Sequence, residues 1–475
     1  MKLSDLDLEA LNDYGDCEIT SLAFRIDDVK AGSLFFCLVG TQADGHDFVG
    51  AAAARGAVAF VCEKKQSIAL PQVIVKNSRR QLALSASAFY GSPSERLKII
   101  AVTGTNGKTT TTYILKSILE SAGFKVGLIG TNCVMIGEQK SAATLTTPDP
   151  TDLHRIFADM VKAGVEYVVM EASAHALWLH KLDGIVFEVA AFTNLSQDHL
   201  DYFDTMERYG QAKKLLFASG VSRHSVVNVD DPFGRELALE CDRVVTYGCE
   251  NPSDVFAIDL KMSTGGLDYY LNSFDDIAEV KFNLPGRFNM YNTLCAAAVA
   301  AAIDLPVKHV VRGIRRVTKI DGRFNMIGLS GCSVIVDFAH TPDGLKNVLS
   351  SIREFATGRV ITVFGCGGDR DRAKRPMMGK VVSSLSDITV VTSDNPRSED
   401  PEKIIDDIVG GIDSGKYIRI ADRKQAIREA LTLASQGDIV LIAGKGAENY
   451  QEADGVKYEY NDERYVMELV EEEGF

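Results

Sequence analysis

The stretch Lys98 to Thr112, K-I-I-A-V-T-G-T-N-G-K-T-T-T-T, leaves the chain few folds to choose from. An apolar run rich in Ile and Val, suited to a buried strand, ends in a Gly-rich turn. A Lys and a run of Thr follow, then apolar residues at helical spacing: Tyr113, Leu115, Ile118 and Leu119. Strand, turn and helix in that order predict a phosphate loop. Its backbone N–H groups cradle phosphate oxygens, and the helix N-terminus adds partial positive charge. Lys108 is placed to reach β- and γ-phosphates, and the Thr109 hydroxyl to ligate Mg²⁺. The fit to G-x-x-x-x-G-K-[ST] is incomplete, because Val102 stands where the first Gly belongs. The alternative is a plain Gly turn before a helix.

A chain of 475 residues should hold about three domains at roughly 150 residues each. Its net charge of −14 argues against nucleic acid or an anionic membrane as main partner, while leaving room for a local cationic site. Nine Cys are scattered singly without a C-x-x-C pair, which argues against structural zinc or a disulfide framework. There is no run of about 18 apolar residues and no signal-like N-terminus, so a cytoplasmic protein is expected, most simply a monomer.

The order of elements predicts an α/β chain of three domains. Residues 1–96 read as a small α/β domain, with strands over Ser33 to Val39, Ala57 to Cys62 and Val73 to Val75, and helices over Phe48 to Arg55 and Arg79 to Tyr90. Gly91-Ser92-Pro93-Ser94 breaks the chain. Residues 97–322 read as a mostly parallel sheet around the phosphate loop, with strand Glu166 to Met170, strand Phe187 to Phe192 and a helix Met206 to Ala218. Short alternating runs between Asp254 and Leu284 predict antiparallel hairpins. Residues 323–475 read as a Rossmann-like, doubly wound sheet with strands Ser333 to Val336, Val360 to Phe364, Ile388 to Thr392, Tyr417 to Ile420 and Ile439 to Ala443.

Ligands of such sheets bind at the carboxyl ends of strands, and several polar groups sit there. Glu171 ends an apolar strand and suits Mg²⁺, or else caps a turn. His199, flanked by Asp198 and Asp201, is either a metal ligand or a satisfied structural histidine. Lys213, by its helical setting alone, reads as a solvated surface lysine. Arg323 follows Asp321-Gly322 at the second boundary, where it could reach a nucleotide phosphate. Asp337 ends a strand and could accept a ribose hydroxyl. Gly365 to Asp371, Asp394-Asn395-Pro396-Arg397 and Gly444 to Glu448 each follow a strand. Together they offer Arg for a carboxylate and Asp or Glu for an ammonium, the pairing a zwitterionic amino acid needs.

Over nearly its whole length the sequence resembles the Mur ligases, the ATP-dependent amide-forming enzymes of peptidoglycan synthesis. The resemblance is carried by Thr103-Gly104-Thr105-Asn106-Gly107-Lys108-Thr109-Thr110, by Thr193-Asn194 through Asp201, by Gly286 through Asn292, and by Asp337 through Pro342. Gly365 to Asp371, Asp394 to Arg397 and Gly444 to Gly446 resemble the branch that adds the third stem-peptide residue, in its meso-diaminopimelate-adding rather than lysine-adding form.

The resemblance implies ATP and Mg²⁺ as cofactors, with Gly104, Thr105, Asn106, Gly107, Lys108, Thr109, Thr110, Asn289, Arg323 and Asp337 at the nucleotide. It makes Thr109, Glu171 and His199 metal ligands, and Lys213 a carbamylated lysine that helps place the metal, against its bland reading above. Lys108, Lys213, His199 and Arg323 form the implied catalytic set. Thr41, Gln42, Ala43, Thr146, Thr147, Ser173 and Lys181 match positions that hold UDP-MurNAc-L-Ala-D-Glu. Arg370, Asp394, Asn395, Pro396, Arg397, Gly444 and Glu448 match those that hold meso-diaminopimelate.

Some positions depart from the family pattern. Arg25-Ile26-Asp27 stands where many members read Asp-Ser-Arg, Leu145 and Leu179 replace Asn and Gln, Lys181 replaces Arg, and Ala447 replaces a common His. A folylpolyglutamate synthase shares the phosphate loop but should lack the first domain and Asp394 to Arg397. A non-catalytic nucleotide switch would need an N-K-x-D motif, which is absent.

Overall fold

The computed structural model describes residues 1–40, 43–274, 276–413 and 417–474. It divides into two compact units, one of Met1–Ala101, Phe124–Ala190 and Ala212–Arg223, the other of Val102–Gly123, Ala191–Gln211 and His224–Phe475.

The first unit begins with a four-stranded parallel sheet in the order Ser21–Ala23, Ser33–Phe36, Ala57–Cys62, Gln72–Ile74. Its two middle strands are buried almost throughout, which is why they read as unbroken apolar runs. Helix Ser78–Phe89, capped by Asn77, packs against helix Pro150–Lys162. The same unit holds Tyr167–Glu171 parallel to Val126–Ile129 and, next to it, the hairpin Cys133–Ile136 with Gln139–Ala142. The strand predicted over Glu166 to Met170 is shifted by one residue, so that Glu171 is its last member.

In the second unit, helix Lys108–Ser121 follows the phosphate loop and packs on helices Arg287–Ala302 and Val307–Arg316. Arg287–Ala302 is buried on nearly every side, because small Ala side chains let neighbouring elements approach all round. The predicted hairpins form a meander of Val255–Ser263, Gly266–Ser273 and Asp276–Phe282.

The last part of this unit is a six-stranded sheet in the order Asn325–Gly328, Cys332–Asp337, Asp438–Ala443, Val360–Phe364, Ile388–Val391, Tyr417–Arg419, parallel except for the first strand. Alternate residues feed two cores. Ile335, Leu441, Phe364 and Val391 pack with helices Pro342–Phe355, Lys374–Leu385 and Pro401–Val409. Val334, Val336, Val363 and Ile442 pack with helices Arg423–Leu433 and Asp462–Glu473. Both faces are therefore covered, as in the doubly wound sheet expected.

The helix predicted over Met206 to Ala218 is α-helical only over Met206–Lys214 and tightens to a 3₁₀ turn over Leu215–Phe217. Strands with no apolar signature went unpredicted: Gln139–Ala142 and Val456–Glu459 are exposed at every position. Among the described residues no helix is long and apolar enough to cross a membrane.

Candidate active site

The phosphate loop is built as its sequence demands. Gly107 is left-handed, with φ of +87°, and a Cβ there would lie 2.3 Å from the Asn292 Oδ1. Lys108 Nζ donates to the carbonyls of Gly104 and Thr105, at 2.9 Å each. Thr109 and Thr110 are buried on the first turn of the helix. The segment after strand Phe187–Phe192 braces the loop. Thr193 Oγ1 donates to the Asn106 carbonyl at 2.6 Å, Asn194 Oδ1 accepts from the Asn106 N–H at 2.9 Å, and Thr105 N–H donates to the Asn194 carbonyl at 2.8 Å. Thr193 and Asn194 were legible only as part of a motif; their task is to fix the loop's backbone, which no spacing rule reports.

Arg323 reaches this loop, donating to Thr109 Oγ1 at 2.9 Å while stacking 4.5 Å above the Phe338 ring. Asp337 is buried and accepts from the backbone N–H of Phe324 at 2.8 Å and of Ala339 at 2.7 Å. Burial lifts its carboxyl above the usual range, against the pull of Arg323 and these two donors. Asn289 donates to the Pro285 carbonyl at 2.7 Å and accepts from Asn292 at 3.0 Å.

His199, left-handed with φ of +57°, lies 3.4 Å from the Asp198 carboxylate and edge-on to Tyr209. Asp198 is the buried centre of a cluster that also holds Lys374 at 3.3 Å and His340 at 3.6 Å. Burial alone would raise its carboxyl, but the neighbouring His340, Lys374 and His199 outweigh that and hold it well below the usual carboxylate range. Sequence reasoning passed over Asp198, His340 and Lys374, although the first flanks His199 and the second ends Asp337-Phe338-Ala339-His340.

The polar loops of the last sheet meet at one end of its six strands, where register pairs Asp337 with Ala443 and Phe364 with Val391. Gly444 has φ of +115°, and a Cβ there would stand 2.5 Å from Asp394 Oδ2. Asn395 donates to Glu448 Oε2 at 2.9 Å. Arg397 donates to the Gly368 carbonyl at 2.7 Å and lies 3.6 Å from Glu452. Pro396 stands between Asn395 and Arg397, and its carbonyl is close to Gly368. Arg370 is exposed and, among the described residues, donates only locally, to the Asp369 carbonyl at 2.9 Å. Behind the pocket, buried Arg423 pairs bidentately with Asp462 at 2.8 Å and donates to the carbonyls of Ser393 and Ala443, the residues before Asp394 and Gly444.

The first unit carries the remaining candidates. Glu171 is buried; its Oε1 accepts from the Thr131 N–H at 2.8 Å and its Oε2 from the Thr131 hydroxyl at 3.1 Å. It thus performs the turn-capping role while ending its strand as a carboxylate. Thr147 Oγ1 donates to the Glu171 carbonyl at 2.8 Å and accepts from the Ser173 N–H at 3.0 Å; Ser173 caps the helix Ala174–Trp178. Thr146 pairs with Thr131 at 3.1 Å, and Lys181 with Asp149 at 2.7 Å. Lys213 is 1% exposed, so the solvated reading from helix spacing does not hold: it shares the buried face of Tyr209, Ala212 and Leu216. Ala43 is exposed, and Thr41 and Gln42 lie outside the described residues.

Among the described residues no three His, Cys, Asp or Glu converge as a metal cluster. Mg²⁺ does not require one, since it takes one or two protein carboxylates and fills its shell with phosphate and water oxygens.

Known proteins resemble this chain along its length. Residues 25–98 match the Mur ligase family catalytic domain, 102–300 the Mur ligase middle domain, and 322–446 the Mur ligase glutamate ligase domain. The sequence is 42% identical to UDP-N-acetylmuramoyl-L-alanyl-D-glutamate–2,6-diaminopimelate ligase 1 of Clostridium acetobutylicum, over 99% of this chain and 98% of that protein. It is 44% identical to the ligase of the same name from Geobacillus kaustophilus, over 97% and 96%. A solved structure of a UDP-N-acetylmuramoyl-L-alanyl-D-glutamate–2,6-diaminopimelate ligase superposes with a TM-score of 0.68 at 32% identity, covering 96% of each chain.

Proposed function

The chain belongs to the Mur ligase family, and from that premise we propose that it is the ATP-dependent ligase that joins meso-diaminopimelate to UDP-MurNAc-L-Ala-D-Glu in peptidoglycan synthesis. The observation that carries the reading is the amino-acid pocket: Asp394, Asn395, Arg397, Gly444 and Glu448 surround one sheet end in a chain alike over its full length to ligases of that name. Division at about residues 96 and 322 is supported by family segments at 25–98, 102–300 and 322–446. The proposed enzyme is a cytoplasmic monomer; among the described residues no helix is long and apolar enough to cross a membrane.

In this reaction the substrate carboxylate attacks the γ-phosphate of ATP, giving an acyl phosphate and ADP. The amine of diaminopimelate then attacks the acyl carbon, and phosphate leaves. Carboxylate and triphosphate repel each other, so cationic side chains must neutralise charge and positioning supplies much of the rest. Lys108 exchanges its loop carbonyls for phosphate oxygens, and Arg323, already on Thr109, adds a second cation. Gly104 to Thr110 bind phosphates, while Asn289 and Asp337 complete the nucleotide site. Thr109, Glu171, His199 and a carbamylated Lys213 would hold Mg²⁺, which when bound screens the triphosphate charge. Thr41, Gln42, Ala43, Thr146, Thr147, Ser173 and Lys181 hold the nucleotide-linked dipeptide. Arg370, Asp394, Asn395, Pro396, Arg397, Gly444 and Glu448 hold the diamino acid, the Arg side chains taking carboxylate and the acids taking ammonium.

ADP release with UDP-MurNAc-L-Ala-D-Glu plus diaminopimelate, lysine or neither tests the reading. Release with lysine but not diaminopimelate refutes the specificity, and release with neither dipeptide substrate nor diamino acid, but with a folate and glutamate, refutes the branch. Lys213→Ala should lose activity; full activity in that variant, without response to bicarbonate, rules out the carbamate.

A further inference from the structure

The reaction above uses Gly444 and Glu448 and leaves the side chain between them idle. Lys445 is 0% exposed. A buried ammonium persists only where its charge is paired and its donors are met. Here Nζ donates to Asn395 Oδ1 at 2.9 Å and to Glu448 Oε2 at 2.9 Å, with the Tyr450 ring 5.7 Å away. Asn395 Nδ2 donates to the same Glu448 oxygen at 2.9 Å, closing a triangle of three side chains. The Glu452 N–H gives Asn395 Oδ1 a second donor at 2.9 Å. An ammonium can only donate, so Lys445 fixes which end of the Asn395 amide is oxygen and thereby turns Nδ2 toward Glu448. Glu448 Oε2 is taken by two donors, whereas among the described residues no donor reaches Oε1, on a side chain that is 25% exposed.

We propose that Lys445 is the positioning residue of the amino-acid pocket: it locks Asn395 and Glu448 in the one arrangement that leaves Glu448 Oε1 open to the ammonium of the incoming diamino acid. It acts through those two residues without touching substrate. The inference rests on the assignment of this pocket to diaminopimelate made above.

Steady-state ADP release by the full-length enzyme tests it, with diaminopimelate, ATP and UDP-MurNAc-L-Ala-D-Glu varied in turn. Lys445→Met removes the charge and keeps the apolar stem. It should raise KM for diaminopimelate about 10- to 100-fold, the range for one charged hydrogen-bonding partner lost. KM for ATP and for the nucleotide substrate should stay within about twofold of wild type, since uniform weakening is not what a pocket-specific part produces. Lys445→Met should add less than about threefold on a Glu448→Gln background, because the two residues act as one unit. Equal rises in all three KM values, or full additivity with Glu448→Gln, overturn the proposal. Should circular dichroism show Lys445→Met unfolded, Lys445→Gln keeps a donor without the charge, and the same split is expected of it. Loss of folding in both assigns Lys445 to stability alone and also overturns the proposal. A wild type that releases no ADP with diaminopimelate refutes the function instead. A working wild type with an unchanged Lys445→Met refutes only this inference.

Discussion

His154 sits on helix Pro150–Lys162 with 0% exposure, edge-on to Phe157, and among the described residues neither ring nitrogen has a hydrogen-bond partner. Burial pushes its pKa down from 6.5 to about 4. Between those values the unfolded segment binds a proton that the folded one refuses, so stability falls as pH falls. The sign follows from the depressed pKa of a base: nothing is lost above pH 6.5, and the full loss is reached below pH 4. The drop from 6.5 to about 4 corresponds to roughly 3.4 kcal/mol in total, of which about 2 kcal/mol has gone by pH 5. Replacing His154 by Leu removes the titrating group and two unpaired polar atoms while keeping an apolar side chain. Hydrogen exchange of the 150–162 peptide is the suitable assay, because a chain of several domains does not unfold in one step. After correction for intrinsic exchange rates, protection in wild type relative to His154→Leu should drop about 30-fold between pH 7.5 and pH 5. A ratio constant within about threefold would show the imidazole to be solvated or paired, and would refute the argument.

Gly107→Ala places a Cβ 2.3 Å from Asn292 Oδ1 at a φ of +87°; that strain of about 1–2 kcal/mol should weaken nucleotide binding roughly tenfold by titration calorimetry, and unchanged affinity would contradict it. Arg423→Met leaves the buried Asp462 unpaired, at a cost of about 3–5 kcal/mol. Differential scanning calorimetry should show a lowered transition that Arg423→Met/Asp462→Leu largely restores; a double variant as unstable as the single one would mean that the Ser393 and Ala443 carbonyls, not the lone charge, set the cost.

The positions of most core elements were legible because their signals are local. Val360–Phe364 and Ala57–Cys62 match their predicted bounds residue for residue, since each is an apolar run cut sharply by Gly or charged neighbours, and Phe187–Phe192 matches too, stopped by the polar pair Thr193-Asn194. The hairpins Cys133–Ile136 with Gln139–Ala142 and Tyr450–Ala453 with Val456–Glu459 left little trace, because one strand of each is exposed throughout and pairing is a relation between segments rather than a property of either. The polar groups at strand ends were legible for the same local reason: a parallel sheet puts its loops at the carboxyl edge, and Asp337, Gly365, Asp394 and Gly444 each follow an apolar run.

What the sequence determined by itself is the chemistry it could attempt. A strand, a Gly turn, Lys108 and Thr109 spell a phosphate loop, and three charged loops after three strands give the last sheet the pairing of cations and carboxylates on which the proposed amino-acid pocket rests. What only the tertiary structure decided is the state of each group. Lys213 looks solvated by spacing and is buried; Glu171 looks free for a ligand and also caps Thr131; Lys445 looks like loop filler and closes a triangle with Asn395 and Glu448. Burial and pairing depend on which distant segment arrives overhead, 50 residues away in the case of Lys445 and Asn395. Periodicity describes a residue's own element, whereas charge state and orientation are set by the neighbours that folding brings to it.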